Sequence, residues 1–278
     1  MYPYVYVFGY PLSSYGIMVS IGFLCCIAYC FIRYKKRGEI DPATTIFLGL
    51  WIALGIFVGS HILYGITNID NIITILTHTD EFFENFWAGL SLLGAQIGGM
   101  VFYGGLIGGA IAALIYLKTT KKDVGLYCDL LVPCIPLFHL FGRIGCFLGG
   151  CCYGIEFPIG FTYTNSLSEA ANGVCRLPLP LIEAFFNLLI FILLAVLHSK
   201  NTIRKGSLWM VYAFTYPVVR FIDEFFRGDE IRGFWGPLST SQWISIGIFA
   251  LALIYFIIGK VRGIKFINKT PATGEAER

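Results

Sequence analysis

Long hydrophobic segments separated by short polar connections dominate the pattern of this chain. About seven of these segments are long enough to cross a lipid bilayer, each on the order of 20 residues. They cover residues 13–32, 44–66, 95–117, 124–150, 179–198, 208–226 and 243–259. The pattern predicts an all-α integral membrane protein with roughly seven transmembrane helices, and we expect residues 1–278 to form a single polytopic membrane domain.

Two connections are long enough to form structures of their own. The second segment leads into a mildly acidic stretch with Asp70, Asp80, Glu81 and Glu84, which predicts an arm at the membrane interface. Residues 151–178 contain glycine and proline and follow the fourth segment, so they predict a small extracytoplasmic cap.

The basic residues indicate the orientation of the segments. Clusters at 33–37, 118–122, 200–205 and 260–278 all fall on one side of the membrane if the segments alternate in direction. Loops rich in lysine and arginine are retained in the cytoplasm. We therefore expect the N-terminus outside and the C-terminus in the cytoplasm.

Composition and charge support a membrane protein. The 278 residues are 56% hydrophobic and 13% charged, which is too apolar for a soluble domain. The net charge of +3 is small and says nothing about nucleic acid, because the distribution of charge along the chain carries that information. We expect no nucleic-acid partner. The basic residues outside the cytoplasmic clusters are all arginines, which stay ionised when buried and bind phosphate through two parallel hydrogen bonds. They are Arg143, Arg176, Arg220, Arg227 and Arg232.

A first candidate site lies in the run HLFGRIGCFLGGCCYG, which begins at His139. A charged residue at membrane depth is costly and usually functional. In a helix, His139, Arg143 and Cys146 would share one face, which could hold an anion. The alternative is a tightly packed span whose arginine extends to the membrane surface.

A second candidate site lies in the run RFIDEFFRG, which begins at Arg220. Helical spacing places Arg220, Asp223, Glu224 and Arg227 on one charged stripe. In the functional interpretation, Arg220 faces a lipid phosphate and Glu224 orients it. The alternative is a structural ladder of ion pairs, because buried charges of both signs normally pair.

These runs resemble a known family. GRIGCFLGGCCYG, from Gly142, is similar to the signature of the prolipoprotein diacylglyceryl transferases, roughly Gly-Arg-x-Gly-Asn-Phe, and RFIDEFFRGDEIRG is similar to their late arginine and glutamate motif. Further similar runs in the family's order are YGIMVSIGF from Tyr15, FYGGLIGG from Phe102, LIEA from Leu181 and GPLSTSQWISI from Gly236.

The resemblance implies an enzyme of the bacterial inner membrane. Such an enzyme moves the diacylglyceryl group of phosphatidylglycerol to the lipobox cysteine sulfur of a preprolipoprotein signal peptide and releases glycerol 1-phosphate. Arg143 and Arg220 would bind the departing phosphate, in which negative charge develops. We expect no cofactor and a monomer.

The chain departs from the family pattern at the acid/base positions. Tyr103 stands where the family has a histidine, Cys146 replaces an asparagine, and Cys151 or Cys152 replaces a glutamate. The general base is therefore open. His139 is a candidate because it lies one turn before Arg143, although it could also be a packed histidine. Tyr103 is a candidate hydrogen-bond donor to the phosphate or glycerol, although it could also be a packing residue.

Four further residues are candidates for contacts with the substrate. Tyr15 matches a family tyrosine and could contact the head group, or it could belong to the aromatic belt of the membrane interface. His61 stands where the family usually has an arginine. Cys146 lies in the first motif. Gly154 ends a glycine run whose backbone could face a cavity.

Nine cysteines raise the question of disulfides and metals. Cys146, Cys151, Cys152 and Cys175 are predicted at the outer face, where a disulfide is conceivable in an oxidising compartment. The Cys-x4-Cys-Cys spacing is not a standard zinc pattern, so we expect no metal.

Two other functions remain open at this point. One is a transferase of the same fold that uses another part of a phospholipid or another acceptor. The other is a non-enzymatic lipid transporter whose arginines bind phosphate, although the chain shows no inverted repeat with matching broken helices.

Overall fold

The computed structural model describes residues 1–37, 40–77, 86–229 and 233–268. Most of these residues are helical. The helices are α1 (Ser14–Arg37), α2 (Pro42–Thr67), α3 (Ile69–Thr77), α4 (Phe86–Ile97), α5 (Phe102–Thr119), α6 (Val124–Leu131), α7 (Cys134–Gly149), α8 (Leu179–Ser199), α9 (Leu208–Asp223) and α10 (Thr240–Val261).

Short antiparallel hairpins lie between the helices. They pair β1 (Tyr4–Val7) with β2 (Tyr10–Ser13), β3 (Glu156–Thr162) with β4 (Cys175–Arg176), and β5 (Phe234–Trp235) with β6 (Leu238–Ser239). The described residues are therefore mainly helical rather than entirely so.

Five helical stretches in the described part of the chain are long and apolar enough to span a membrane. They are Ser14–Lys35, Pro42–Thr67, Val124–Gly149, Leu179–Ser199 and Thr240–Val261. These five stretches confirm the prediction of a helical membrane protein that crosses the bilayer several times. The number of seven spans and the orientation of the termini stay predictions.

Three predicted segments are interrupted in the structure. The segment at 124–150 is divided at Val132 and Pro133, between α6 and α7. The segment at 95–117 is divided, because α4 ends at Ile97 and α5 begins at Phe102. The intervening Gly98 and Gly99 lack side chains that would favour a continuous helix. The segment at 208–226 ends as a helix at Asp223 and continues as a 3-10 turn, Glu224–Phe226.

Contacts divide the chain into two compact units, Met1–Arg37 with Gly125–Arg278, and Gly38–Val124. In the first unit, α1 packs against α7, α7 against α8, α8 against α9, and α9 against α10. Because α7 and α9 both pack against α8, the two arginine motifs face a common helix.

Residues 151–178, the predicted cap, contain β3, β4 and a 3-10 turn at Glu169–Ala171. Tyr163 is fully buried there and packs with Tyr153 and Ala171. Burial raises the pKa of the Tyr163 hydroxyl to about 12. The segment has a small core of its own, and its position outside the cytoplasm stays a prediction.

In the second unit, α2 and α5 pack closely through glycines. Gly55 and Gly59 of α2 lie against Gly104 and Gly108 of α5, so that an added Cβ at any of the four would collide with the facing backbone. Small residues at helix contacts allow the close approach that stabilises helix pairs in a bilayer. The predicted acidic arm falls only partly within this unit, because α3 contains Asp70 whereas residues 78–85 lie outside the described residues.

We expect Gly59→Ala to destabilise the protein by about 1–3 kcal/mol, because the added methyl group would lie 2.9 Å from the Cα atom of Gly108. Gly49→Ala in the same helix is the matched control, since no atom lies within 4 Å of its added methyl group. The midpoint of thermal denaturation in detergent measures both. Equal midpoints for the two variants would contradict the packing argument.

Candidate functional site

Glu183 links the two predicted arginines. It lies in α8, and its Oε2 atom forms an ion pair with Nε of Arg143 in α7. Its Oε1 atom lies 3.5 Å from Nη1 of Arg220 in α9. The two guanidinium groups therefore contact one carboxylate, and they come close enough to bind a single group of similar size.

Two further side chains hold Arg220 in place. Its Nη2 atom lies 2.8 Å from Oε2 of Glu224 and donates a hydrogen bond of 3.0 Å to the hydroxyl of Ser241, at the start of α10. The contact with Glu224 is the predicted i, i+4 pair. The helices α7, α8, α9 and α10 of the first unit, with the 3-10 turn that follows α9, thus converge on this cluster.

The cluster is buried. The side chains of Arg143 and Arg220 are 12% and 14% exposed, whereas those of Glu183 and Glu224 are 5% and 2% exposed. Buried ions remain charged only when they are paired and hydrogen-bonded. Each guanidinium group has five N–H donors, so an arginine that contacts a carboxylate on one side has donors left for a second anion.

Glu183 is the residue of this candidate site that the sequence interpretation missed. It lies in the LIEA run, which carries part of the family resemblance, but no role was assigned to it. A signal was present, because Glu183 is the only charged residue in the 21 residues of Leu179–Ser199, apart from His198 if protonated. An isolated carboxylate in an apolar span calls for a buried cationic partner.

His139 lies on α7, one turn before Arg143, as predicted. Its ring centroid lies 5.3 Å from that of Tyr216 in α9, and Tyr216 in turn stacks on Tyr212. The ring is thus held between α7 and α9, next to both arginine motifs. Its assignment as the base stays a prediction, since packing against aromatic rings fits either interpretation.

Tyr15 and Gly154 occupy different surroundings in the first unit. Tyr15 of α1 packs against Gly145, where an added Cβ would lie 3.0 Å from its ring. Tyr15 is therefore next to the Arg143 motif, and it is 47% exposed. Gly154 donates a backbone hydrogen bond of 3.1 Å to Leu177 and forms a β-bridge with Arg227. Gly154 thus joins the predicted cap to the segment that follows α9 and its 3-10 turn.

Three cysteines meet at the end of α7. The Sγ atoms of Cys146, Cys151 and Cys152 all lie within 4.8 Å of one another, and the thiols are free. Hydrogen bonds from the other two thiols, together with the positive charges of Arg143 and Arg227, lower the pKa of the Cys152 thiol. Cys175 is also free, so the described cysteines of the predicted outer face form no disulfide with one another.

Tyr103 and His61 lie in the second unit. Tyr103 stands near the start of α5 and is 36% exposed. His61 of α2 forms a hydrogen bond of 2.9 Å between Nδ1 and the carbonyl of Ile97, and its ring contacts Phe57 edge to face. These contacts give His61 a structural role within the unit. The predicted substrate contacts of both residues stay predictions.

Two of the other arginines are occupied by partners near the predicted cap. Arg176 lies over the ring of Tyr153 and donates to the carbonyl of Ala170. Arg227 forms a two-point pair with Asp229, at 2.8 Å and 2.5 Å. Arg232 lies outside the described residues.

Fold and site together define a multi-pass membrane protein with a buried arginine–glutamate cluster. Residues 3–258 match the family described as prolipoprotein diacylglyceryl transferase. The chain belongs to this family, which confirms the resemblance of its motifs.

Relatives named phosphatidylglycerol–prolipoprotein diacylglyceryl transferase cover nearly the whole chain. One from Clostridium tetani is 35% identical over 260 residues, or 92% of this chain and 96% of the relative. One from Clostridium perfringens, with the same name followed by the number 2, is 34% identical and covers 93% and 95%. One from Campylobacter jejuni is 31% identical and covers 92% of each chain.

Proposed function

We propose that this protein transfers the diacylglyceryl group of phosphatidylglycerol to the lipobox cysteine sulfur of a preprolipoprotein and releases glycerol 1-phosphate. The observation that carries the proposal is the contact of Arg143 and Arg220 with the single carboxylate of Glu183, in a chain of this family. A transferase of this kind needs a fixed cationic site for a phosphodiester within the membrane.

The lipid phosphate binds to the N–H groups of Arg143 and Arg220 that their carboxylate partners leave available. Glu183 keeps the two guanidinium groups together, while Glu224 and Ser241 hold Arg220 in one orientation. Because the donors are positioned before the lipid arrives, little reorganisation is needed when charge develops on the phosphate.

The bond changes follow from this placement. The acceptor sulfur attacks the glycerol carbon that carries the phosphate oxygen, a carbon–sulfur bond forms, and the carbon–oxygen bond breaks. The electron pair of that bond leaves with glycerol 1-phosphate, whose charge the two arginines stabilise. The attacking sulfur must be a thiolate, and a free thiol has a pKa of ~8.5, so a base has to take its proton. His139 takes this role in the proposal.

The membrane arrangement is proposed from the charge pattern. The chain crosses the inner membrane of a bacterium about seven times, with the N-terminus outside and the C-terminus in the cytoplasm. Residues 151–178 form the extracytoplasmic cap, and the protein acts as a monomer. Labelling of single cysteines placed in the basic loops, with a reagent that does not cross membranes, tests this orientation.

Purified protein should convert phosphatidylglycerol and a lipobox peptide into a thioether-linked diacylglyceryl peptide, detected by mass. A peptide with serine at the acceptor position is the control and should give no product. Arg220→Ala should abolish the product, because the lipid phosphate then loses the N–H donors of Arg220, which stabilise its developing charge. If the folded wild-type protein gives no product, the proposal is wrong, and transfer of another lipid group or lipid transport takes its place.

We expect His139→Gln to lower the rate of transfer by about 100-fold or more, since a general base contributes 10²–10⁴-fold to a proton-transfer step. Phosphatidylglycerol binding should stay unchanged, because the arginine cluster is intact. Initial rates and lipid binding are measured on the same preparation. Wild-type rates in the variant would remove His139 from the mechanism and leave it the packing role.

A further inference from the structure

The three cysteines at the end of α7 lie closer together than their sequence spacing suggests. Among the described residues, Cys146, Cys151 and Cys152 are the group of three metal-ligating side chains whose ligand atoms converge, with all Sγ atoms within 4.8 Å. Two sulfurs bound to one tetrahedral zinc ion lie about 3.8 Å apart, since each Zn–S bond is about 2.3 Å. Small rotations of the three side chains would therefore complete a three-sulfur site.

The backbone explains how two of the cysteines meet. The amide of Cys151 donates to the carbonyl of Cys146 at 3.0 Å, the amide of Gly150 donates to Phe147 at 3.1 Å, and Gly150 is left-handed with φ of 74°. These are the bonds of a Schellman helix ending, which places the residue after the glycine against the residue five positions earlier. The helix ending alone therefore accounts for the contact between Cys146 and Cys151, and this contact by itself does not indicate a metal site.

The third cysteine is not explained by the helix ending. Cys152 has a φ of 56°, a left-handed backbone that residues other than glycine, asparagine and aspartate rarely adopt. Backbone held in such a region commonly marks a functional site. In this conformation, the Cys152 sulfur turns back toward Cys146 and Cys151 and completes the group of three.

A second thiol contact in the same unit differs in geometry from the group of Cys146, Cys151 and Cys152. The Sγ atoms of Cys30 in α1 and Cys134 in α7 lie 3.7 Å apart, and the Cys134 thiol also donates to the carbonyl of Leu130 in α6. The Cys26 thiol also lies there and donates to the carbonyl of Cys134 at 3.4 Å. Among the described residues, however, these three sulfurs do not converge as Cys146, Cys151 and Cys152 do, and none of the three residues has a left-handed backbone. This contact therefore serves as an internal comparison for thiol chemistry within this chain.

We propose that Cys146, Cys151 and Cys152 bind one zinc ion as thiolates, and that the fourth position of the zinc takes the acceptor thiol. Thiolate ligands favour zinc, and a zinc site with three protein ligands keeps one position open for water or substrate. The second part of this proposal rests on the proposed transferase function.

Zinc would activate the acceptor thiol at the proton-removal step, for which the sequence leaves the general base open. A thiol that binds zinc gives up its proton. In the proposed reaction this proton passes to His139, and the zinc-bound sulfur then forms its bond to the glycerol carbon as the carbon–oxygen bond breaks. The electron pair leaves on the phosphate, next to Arg143.

Binding of Co²⁺ to the chelator-treated, reduced protein tests the metal site without lipid or peptide. We expect one Co²⁺ per chain and a near-ultraviolet sulfur-to-cobalt charge-transfer band, and zinc should displace the cobalt. Cys146→Ser, Cys151→Ser and Cys152→Ser should each weaken the band and lower affinity by at least tenfold. Cys30→Ser and Cys175→Ser are the matched controls and should bind as the wild type does. Circular dichroism confirms that every variant is folded.

The outcomes separate the metal site from the transferase function. No band, or a band that survives in all three variants, overturns the metal site whatever the transferase assay shows. If the band is present, a lipobox peptide with cysteine should change the visible cobalt spectrum, whereas a serine peptide should not. Equal spectra with the two peptides overturn the acceptor-binding role. Cobalt binding without transfer would instead defeat the proposed function alone.

Discussion

Glu183→Gln should lose both transferase activity and stability, because it removes the one carboxylate that both buried arginines contact. With the neutral amide in place, Arg143 and Arg220 would lie side by side without their shared counter-charge. Breaking a buried ion pair by removing one partner costs about 3–5 kcal/mol. We expect a loss of about this size in stability and a fall in transfer rate of at least about 100-fold, since misplaced donors no longer stabilise the transition state.

Glu156→Gln is the matched control for this variant. Glu156 is also paired with an arginine, at 4.0 Å from Arg176, but its side chain is 74% exposed. An exposed ion pair contributes about 0–1 kcal/mol, so the control should keep its activity and its denaturation midpoint. Transfer rates and thermal denaturation in detergent are measured for both. Wild-type activity in Glu183→Gln would show that the bridge is not needed for transfer.

Arg143→Lys should lower the transfer rate by about 100–1000-fold although the positive charge is kept. Lysine offers a single ammonium group, whereas the planar guanidinium group of Arg143 can contact Glu183 and a phosphate in fixed directions. The loss of one preorganised donor to a developing anion typically costs 10²–10³-fold in rate. The effect on stability should be smaller than that of Glu183→Gln, because a cation remains next to the carboxylate.

Arg262→Lys is the control, since Arg262 is exposed at the end of α10. It should transfer at the wild-type rate. Rates at saturating phosphatidylglycerol separate the chemical step from lipid binding. If Arg143→Lys were as active as Arg262→Lys, simple positive charge would be sufficient, and the argument from guanidinium geometry would be wrong.

The sequence was informative where a single physical requirement dominates. A helix that spans a bilayer must be apolar over its whole length, so the hydrophobic pattern located α1, α2, α8 and α10 to within a few residues. The arginines outside the cytoplasmic clusters indicated the site. An ionised group within a membrane is energetically costly and is usually retained for a function. The i, i+4 spacing of Arg220 and Glu224 predicted their contact.

Features that depend on the meeting of distant segments could not be predicted in the same way. The partner of Arg143 lies forty residues later, and nothing local to either residue identifies it. The convergence of Cys152 with Cys146 depends on a left-handed residue that the spacing does not specify. The division of the predicted segment at 95–117 is not visible in its hydropathy, because Gly98 and Gly99 end α4 without interrupting the apolar pattern.

Glu183 also determines how the site behaves between reaction cycles. Glu183 and Glu224 together supply two negative charges for the two positive charges of Arg143 and Arg220, so the unloaded site is electrically balanced without an anion from outside. Lipid arrival is then an exchange, in which the phosphate shares guanidinium donors already engaged by a carboxylate. An enzyme of this design can remain folded in a neutral detergent or in a bilayer poor in acidic lipid. When the charged product leaves, the guanidinium groups of Arg143 and Arg220 still have their carboxylate partners.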